Sequence, residues 1–269
     1  MTTPHKPDKA YKNNEFLNSK NARPLRIQAE YFEPFYRFRK HNIKATIVFF
    51  GSARILSKEE AVEKVDAAEK LHFKHVNDKN KAALIQAQND LKMSQYYEDA
   101  VELSKRITEW TLDEATKKQK YFVCSGGGPG IMEAANKGAV LANGRSVGLN
   151  VSLPMEQYPN PFITKELSFE FHYFFMRKYW FVYFAKAIVI FPGGFGTLDE
   201  LMEALTLIQT KKVNKKMPII IFGKDYWTDV LNLDALVKWG TISEEDLQLF
   251  NFVDTVEEAM NILEDRLPR

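Results

Sequence analysis

The apolar positions of this chain fall into short unbroken runs separated by longer stretches with helical spacing. Thr46-Ile47-Val48-Phe49-Phe50, Tyr121-Phe122-Val123-Cys124-Ser125, Ala187-Ile188-Val189-Ile190-Phe191 and Met217-Pro218-Ile219-Ile220-Ile221-Phe222 show no apolar/polar alternation. A strand covered by helices on both faces, as in a parallel sheet, has that pattern. The pattern predicts strands over 45–50, 120–125, 146–151, 167–171, 187–191, 217–222 and 250–253, and helices over 23–42, 172–186, 197–211, 225–238 and 255–265. Strands alternating with helices imply an α/β fold, a three-layer, Rossmann-like, doubly wound parallel sheet.

Two segments sit outside that alternation. Residues 57–119 are polar and helix-rich with no strand signal, and read as a helical insertion. Ser57 and Glu60 form a capping-box pattern there, and Asn77 and Lys79-Asn80-Lys81 mark a break. Residues 1–40 read as a basic, partly disordered N-terminal extension, disordered over 1–22. The helix after it presents Phe32, Phe35, Tyr36 and Phe38 to some surface. The nucleotide-binding domain proper is then 41–269.

Three predicted strands finish in glycine and small polar residues. These ends are Gly51-Ser52-Ala53-Arg54, Gly126-Gly127-Gly128-Pro129-Gly130 and Pro192-Gly193-Gly194-Phe195-Gly196-Thr197. Ligands of doubly wound sheets bind at the carboxyl ends of the strands. The last turn leads into a helix marked by Leu198, Leu201, Met202 and Leu205, whose free N-terminal amides form an anion site. Glu200 is expected in the first turn of that helix, about one turn from the anion. A carboxylate there would also offset the helix dipole, which is the competing reading. No Gly-x-Gly-x-x-Gly can be read from Gly126 or Gly128, since Ile131 and Glu133 interrupt it, and Gly223-Lys224-Asp225 is not a P-loop. A small mononucleotide remains as the ligand.

Residues 169–184 are dense in aromatics, more than one sheet face can cover, which predicts a homodimer or higher homo-oligomer built on this helix. Some of these rings could flank a purine. Arg177 and Lys178 lie inside the run, where charges need a carboxylate partner or an anionic ligand. His72 and His75 lack a third ligand, so no metal is expected, and His172 is a candidate ribose or base contact.

Composition adds bounds. The 269 residues are 45% hydrophobic, enough for a full core. The net charge of +2 conceals nine Lys/Arg against four Asp/Glu in the first forty residues, leaving 28 against 31 in the remainder. The body of the chain therefore carries no nucleic-acid signature. Cys124 is the single cysteine and reads as a buried thiol of a reducing compartment. No apolar run reaches the ~18 residues of a membrane span, so a cytoplasmic protein without membrane partners is expected.

Met176-Arg177-Lys178 followed by Pro192-Gly193-Gly194-Phe195-Gly196-Thr197-Leu198-Asp199-Glu200, with Gly126-Gly127-Gly128-Pro129-Gly130-Ile131-Met132-Glu133-Ala134-Ala135 upstream, resembles the Lonely Guy family over roughly residues 45–255. These are cytokinin-activating phosphoribohydrolases, long labelled "lysine decarboxylases". They hydrolyse the N-glycosidic bond of nucleoside 5′-monophosphates to free base and ribose 5-phosphate. The basic extension, the 57–119 insertion and Phe-Met-Arg-Lys in place of Met-His-x-Arg-Lys resemble the longer bacterial subgroup, some of whose members prefer AMP. The resemblance implies Arg177 and Glu200 as catalytic residues. It implies Gly193, Gly194, Gly196 and Thr197 as the phosphate turn, with Gly127 and Gly128 beside it. Gly51, Ser52 and Lys178 complete the expected substrate site, and no cofactor is expected. The alternatives are a nucleotide-binding sensor without turnover and, on the basic tail alone, an RNA-associated scaffold.

Overall fold

The computed structural model describes residues 7, 9–113, 116, 118–153 and 158–268. Every predicted strand is present. β1 (Thr46–Phe50), β2 (Phe122–Ser125), β3 (Ser146–Val151), β4 (Ser168–Phe171), β5 (Ala185–Ile190), β6 (Ile219–Phe222) and β7 (Phe250–Val253) form one seven-stranded sheet. The order is β4-β3-β2-β1-β5-β6-β7, and every pairing is parallel. The chain winds outward from β1 in one direction, then returns to β5 and winds in the other. The topological switch point therefore lies between β1 and β5.

Successive side chains of a strand point to opposite faces, so the unbroken apolar runs feed two cores. Ile47 and Phe49 of β1 enter one, with residues of α4 (Asp78–Thr111), α5 (Ile131–Leu141) and α10 (Val256–Arg266). Val48 and Phe50 enter the other, with α2 (Arg23–Lys40), α6 (Phe174–Phe184), α7 (Phe195–Gln209) and α8 (Lys224–Val230). Cys124 is buried in the second, and burial pushes its thiol pKa up. No helix among the described residues is long and apolar enough to cross a membrane.

Four expectations change. Residues 10–22 are not disordered but form short helical turns, including α1 (Asn14–Asn18). The Arg26 guanidinium donates to the carbonyls of Leu17 and Ser19, and Asn13 caps α1. The expectation of disorder for residues 1–6 and 8 lies outside the described residues. The 57–119 segment is not wholly an insertion. It contains α3 (Lys58–Lys74) and α4, with the Ser57 capping box and an Asn77 cap at the break. The second half of α4 buries Ala100, Leu103 and Ile107 against the sheet core, leaving α3 and the first half of α4 as the added hairpin. The predicted helix 225–238 is split into α8 and α9 (Leu233–Lys238), because the Asn232 side chain accepts from Ala235 N and starts a new helix. Finally, α2 of the same chain covers part of the aromatic helix. Phe38 packs on Trp180, and the Trp180 indole N–H donates to Glu30 O.

Gly138 of α5 marks a close helix crossing, where a Cβ would run into the Val101 carbonyl and Ser104 of α4. At an open helical site Gly→Ala stabilises by about 1 kcal/mol. The expected outcome of Gly138→Ala is the reverse, a loss of roughly 1–3 kcal/mol from overpacking, read as a lower urea midpoint at unchanged slope.

Candidate active site

A cleft of about 740 Å³ opens at the carboxyl ends of the central strands. Its floor is built from the three glycine turns, and they interlock. Ser52 N donates to Pro192 O at 2.9 Å, and Ile131 N donates to Ser52 O at 3.1 Å. A Cβ on Gly51 would collide with Ile131, and one on Gly193 with Thr197 and the Ser52 amide. Glycine at these positions lets three loops touch backbone to backbone.

Gly51, Ser52, Gly128, Gly193, Gly194, Gly196 and Thr197 all line the cleft. Gly127 does not. Its φ of +77° suits glycine, its N–H donates to Ser125 Oγ, and a side chain there would strike Asn150. It shapes the turn from beneath. Helix α7 starts at Phe195, capped by Gly194, two residues before its predicted start. Glu200 therefore sits in the second turn and not the first. A helix-dipole contribution falls off within the first turn, so the dipole-compensating reading loses its geometry.

Glu200 and Arg177 both face the cleft. Glu200 is only 8% exposed, and no group among the described residues hydrogen-bonds its carboxylate. Burial raises its pKa to about 7; Lys178 and Arg177 oppose that rise, while Glu203 and Asp199 add to it. Arg177 is held by Leu149 O, which accepts from Nε at 2.7 Å, and by Gly126 O at 3.4 Å from Nη2. Its guanidinium lies 5.0 Å from the Phe181 ring centroid. Burial lowers its pKa, and the Glu200 charge works against that change. A buried carboxylate and a half-buried guanidinium thus share one cleft, the guanidinium held by backbone carbonyls.

Lys178, expected at the substrate, turns away from the cleft. Its ammonium contacts Asp199 at 2.7 Å, Glu203 at 2.6 Å and Glu200 at 3.7 Å. Burial works against its charge, but Asp199, Glu203 and Glu200 hold its pKa above the ordinary lysine value. His172 is exposed outside the cleft, its ring against Tyr173 and its backbone N–H donating to Glu30. Among the described residues no group of three His, Cys, Asp or Glu could hold a metal.

Several site residues carry no motif. The buried Asn160 amide donates to Gly127 O, Gly128 O and Asn136 Oδ1, pinning the second glycine turn. Tyr226 Oη donates to Gly193 O at 3.0 Å and steadies the Gly193 turn from α8. Met132, Leu153, Phe174 and Val230 make the remaining wall apolar. The isolated asparagine in Tyr158-Pro159-Asn160-Pro161 reads from sequence as a turn residue; only the fold brings it beneath Gly128.

A family model described as "Possible lysine decarboxylase" matches residues 132–263. The chain is 30% identical over 178 residues to the cytokinin riboside 5′-monophosphate phosphoribohydrolase LOG of Oryza sativa subsp. japonica, covering 64% of this chain and 68% of that protein. It is 33% identical over 113 residues to the pyrimidine/purine nucleotide 5′-monophosphate nucleosidase of Escherichia coli strain K12, covering 38% of this chain. That match spans 24% of the nucleosidase, so the chain accounts for about a quarter of its length. The X-ray structure of TM1055 overlaps with a TM-score of 0.45 at 25% identity, covering 64% of this chain and 89% of that one.

The raised Glu200 pKa has a consequence for stability. Unfolding returns the carboxyl to its ordinary value near 4.5, so the folded state holds the proton more tightly. The protonated form's contribution is fully present below that value and lost as pH rises through about 7. Glu200→Gln, which mimics the neutral acid, is expected to melt close to the wild type at pH 5. At pH 8 it is expected to be more stable, by roughly 3 kcal/mol. Scanning calorimetry of both proteins at the two pH values checks this.

Proposed function

The chain belongs to the Lonely Guy family, and from that premise we propose that it is a nucleoside 5′-monophosphate phosphoribohydrolase, splitting the N-glycosidic bond to give free base and ribose 5-phosphate. The observation that carries this reading is Glu200: a buried carboxylate without a hydrogen-bond partner, facing a cleft beside a glycine-rich helix N-terminus. Lys178 approaches Glu200 only at 3.7 Å, while it makes direct contacts to Asp199 at 2.7 Å and Glu203 at 2.6 Å.

In this reading the phosphate sits at the α7 N-terminus over Gly193, Gly194, Gly196 and Thr197. Its binding energy positions the ribose along the helix, with C1′ near Glu200 one turn further on. As the C1′–N bond breaks, its electron pair leaves with the base and C1′ becomes cationic. The Glu200 carboxylate stabilises that charge and takes a proton from the water whose oxygen bonds to C1′; passing that proton on through solvent neutralises the departed base and restores the carboxylate. Arg177 donates toward the departing base or the phosphate. The apolar wall of Met132, Leu153, Phe174 and Val230 favours a purine, as AMP or a cytokinin riboside monophosphate. No step needs a metal or cofactor. Decarboxylation of lysine is disfavoured, because a Schiff-base lysine needs a depressed pKa and the Lys178 ammonium is held charged by three carboxylates. The single, buried Cys124 supports a cytoplasmic setting.

We also propose a homodimer or higher homo-oligomer. Beyond the cover that α2 provides, Phe32, Tyr36, Phe175 and Tyr183 remain at least 40% exposed on α2 and α6. Light scattering at micromolar concentration is expected to give at least a dimer mass, and a monodisperse monomer would remove this argument.

The activity is tested with AMP and adenosine followed by chromatography. AMP is expected to release adenine and adenosine to release none; equal rates would sink the phosphate role of the 193–197 turn. Glu200→Gln is expected to lower kcat by about a hundredfold or more while AMP affinity stays near normal. AMP binding without any adenine release by the wild type would mark a nucleotide sensor instead.

A further inference from the structure

Arg177 and Lys178 are adjacent in sequence but do different work. Consecutive helical residues project about 100° apart, so when Arg177 enters the cleft Lys178 must leave it. It meets α7 where Asp199, Glu200 and Glu203 crowd into little more than one turn. Three carboxylates so spaced repel one another, and the most buried would take up a proton first.

An ammonium has three N–H donors. Lys178 commits donors to Asp199 at 2.7 Å and Glu203 at 2.6 Å, while Glu200 stays at 3.7 Å, beyond hydrogen-bond length. The two less buried carboxylates thus fix the cation, and the buried one feels its field without giving up a lone pair. Arg177 also favours the Glu200 charge from the cleft side, so Lys178 shares that work. Arg177 has Nε and Nη2 bound to backbone carbonyls, and Arg54 and Tyr226 line other parts of the cleft.

We propose that Lys178 is a positioning residue for Glu200: clamped by Asp199 and Glu203, its ammonium keeps the neighbouring carboxylate in place and favours its ionised form, with its oxygens open to the cleft. The catalytic part of this inference rests on the proposed hydrolase activity. The electrostatic part does not. Removing the Lys178 charge leaves Asp199 and Glu203 uncompensated beside Glu200, so that carboxylate should ionise only at higher pH.

The test is the pH dependence of AMP hydrolysis by the wild type, Lys178→Met and Lys178→Arg. The acidic limb of the kcat/KM profile is expected to move up by at least about one unit in Lys178→Met. This gives at least a roughly fivefold loss near pH 7, approaching about tenfold at lower pH, that recovers toward wild type at alkaline pH. Lys178→Arg is expected to restore most of the limb. A uniform loss at every pH with the limb unmoved would show a packing role and overturn the proposal. So would a raised KM for AMP with an unchanged limb, the mark of a substrate ligand. A second readout needs no turnover. Glu200→Gln is expected to raise the melting temperature at pH 8 more in the Lys178→Met background than in the Lys178 protein, and an equal or smaller gain would overturn the proposal. If the wild type does not cleave AMP, the activity reading fails while this comparison still decides the role of Lys178. Lys178→Gln serves the same comparison should Lys178→Met not fold.

Discussion

The parallel pairing of β1 with β5 is the constraint on which the site depends. Its register, Val48 opposite Ile188 and Phe50 opposite Ile190, ends both strands at the same height. The turns that follow meet directly, with Ser52 N on Pro192 O and the Gly193 Cα facing the Ser52 amide with no side chain between them. From Ser52 the contact passes to Ile131, at the start of α5. A single residue of slip in that register would turn every core side chain of β1 to the wrong face and separate the turns. Fold stability and cleft shape therefore depend on the same backbone hydrogen bonds.

Within the cleft, electrostatics follow from which groups the protein bonds and which it leaves free. Arg177 is spent on Leu149 O and Gly126 O, so its position is fixed before any ligand arrives. Asp199 and Glu203 are spent on Lys178. Glu200 is buried and makes no hydrogen bond among the described residues, with the Lys178 ammonium only as near as 3.7 Å, which is a costly arrangement in a folded protein. Such unspent groups cluster where a ligand completes the pairing. Asn160 and Tyr226 serve the same end from outside, holding the carbonyls of Gly127, Gly128 and Gly193 so that the turns keep their shape.

The additions to the sheet domain are fastened by equally specific contacts. Glu30 of α2 accepts from the backbone N–H groups of His172 and Tyr173, and its own carbonyl takes the Trp180 indole proton. The N-terminal helix thereby orders the start of α6, the element that carries Arg177 and Lys178. The α3–α4 hairpin is continuous with a core helix through the second half of α4, so its base is tied to the same packing that supports α5.

The sequence alone determined what depends on local chemistry. Unbroken apolar runs required strands buried on both faces, glycine turns marked the strand ends, and the Ser57 and Asn77 caps set helix starts; all are short-range effects of backbone sterics and hydrogen bonding. The Pro192–Glu200 stretch, with Arg177 upstream, also pointed to the cleft now seen at the switch point. What stayed out of reach depended on distance in space between residues far apart in sequence. Helix α7 begins at Phe195, with Gly194 at its N-cap position, which moves Glu200 to the second turn. Lys178 turns to Asp199 and Glu203 because α6 lies beside α7, and Gly127 is occupied by Ser125 and Asn160 from beneath. Spacing can say which residue types a cleft needs. Whether a charge faces a ligand or a neighbouring carboxylate is settled only when tertiary packing fixes its partners and its burial, because both set the energy of that charge.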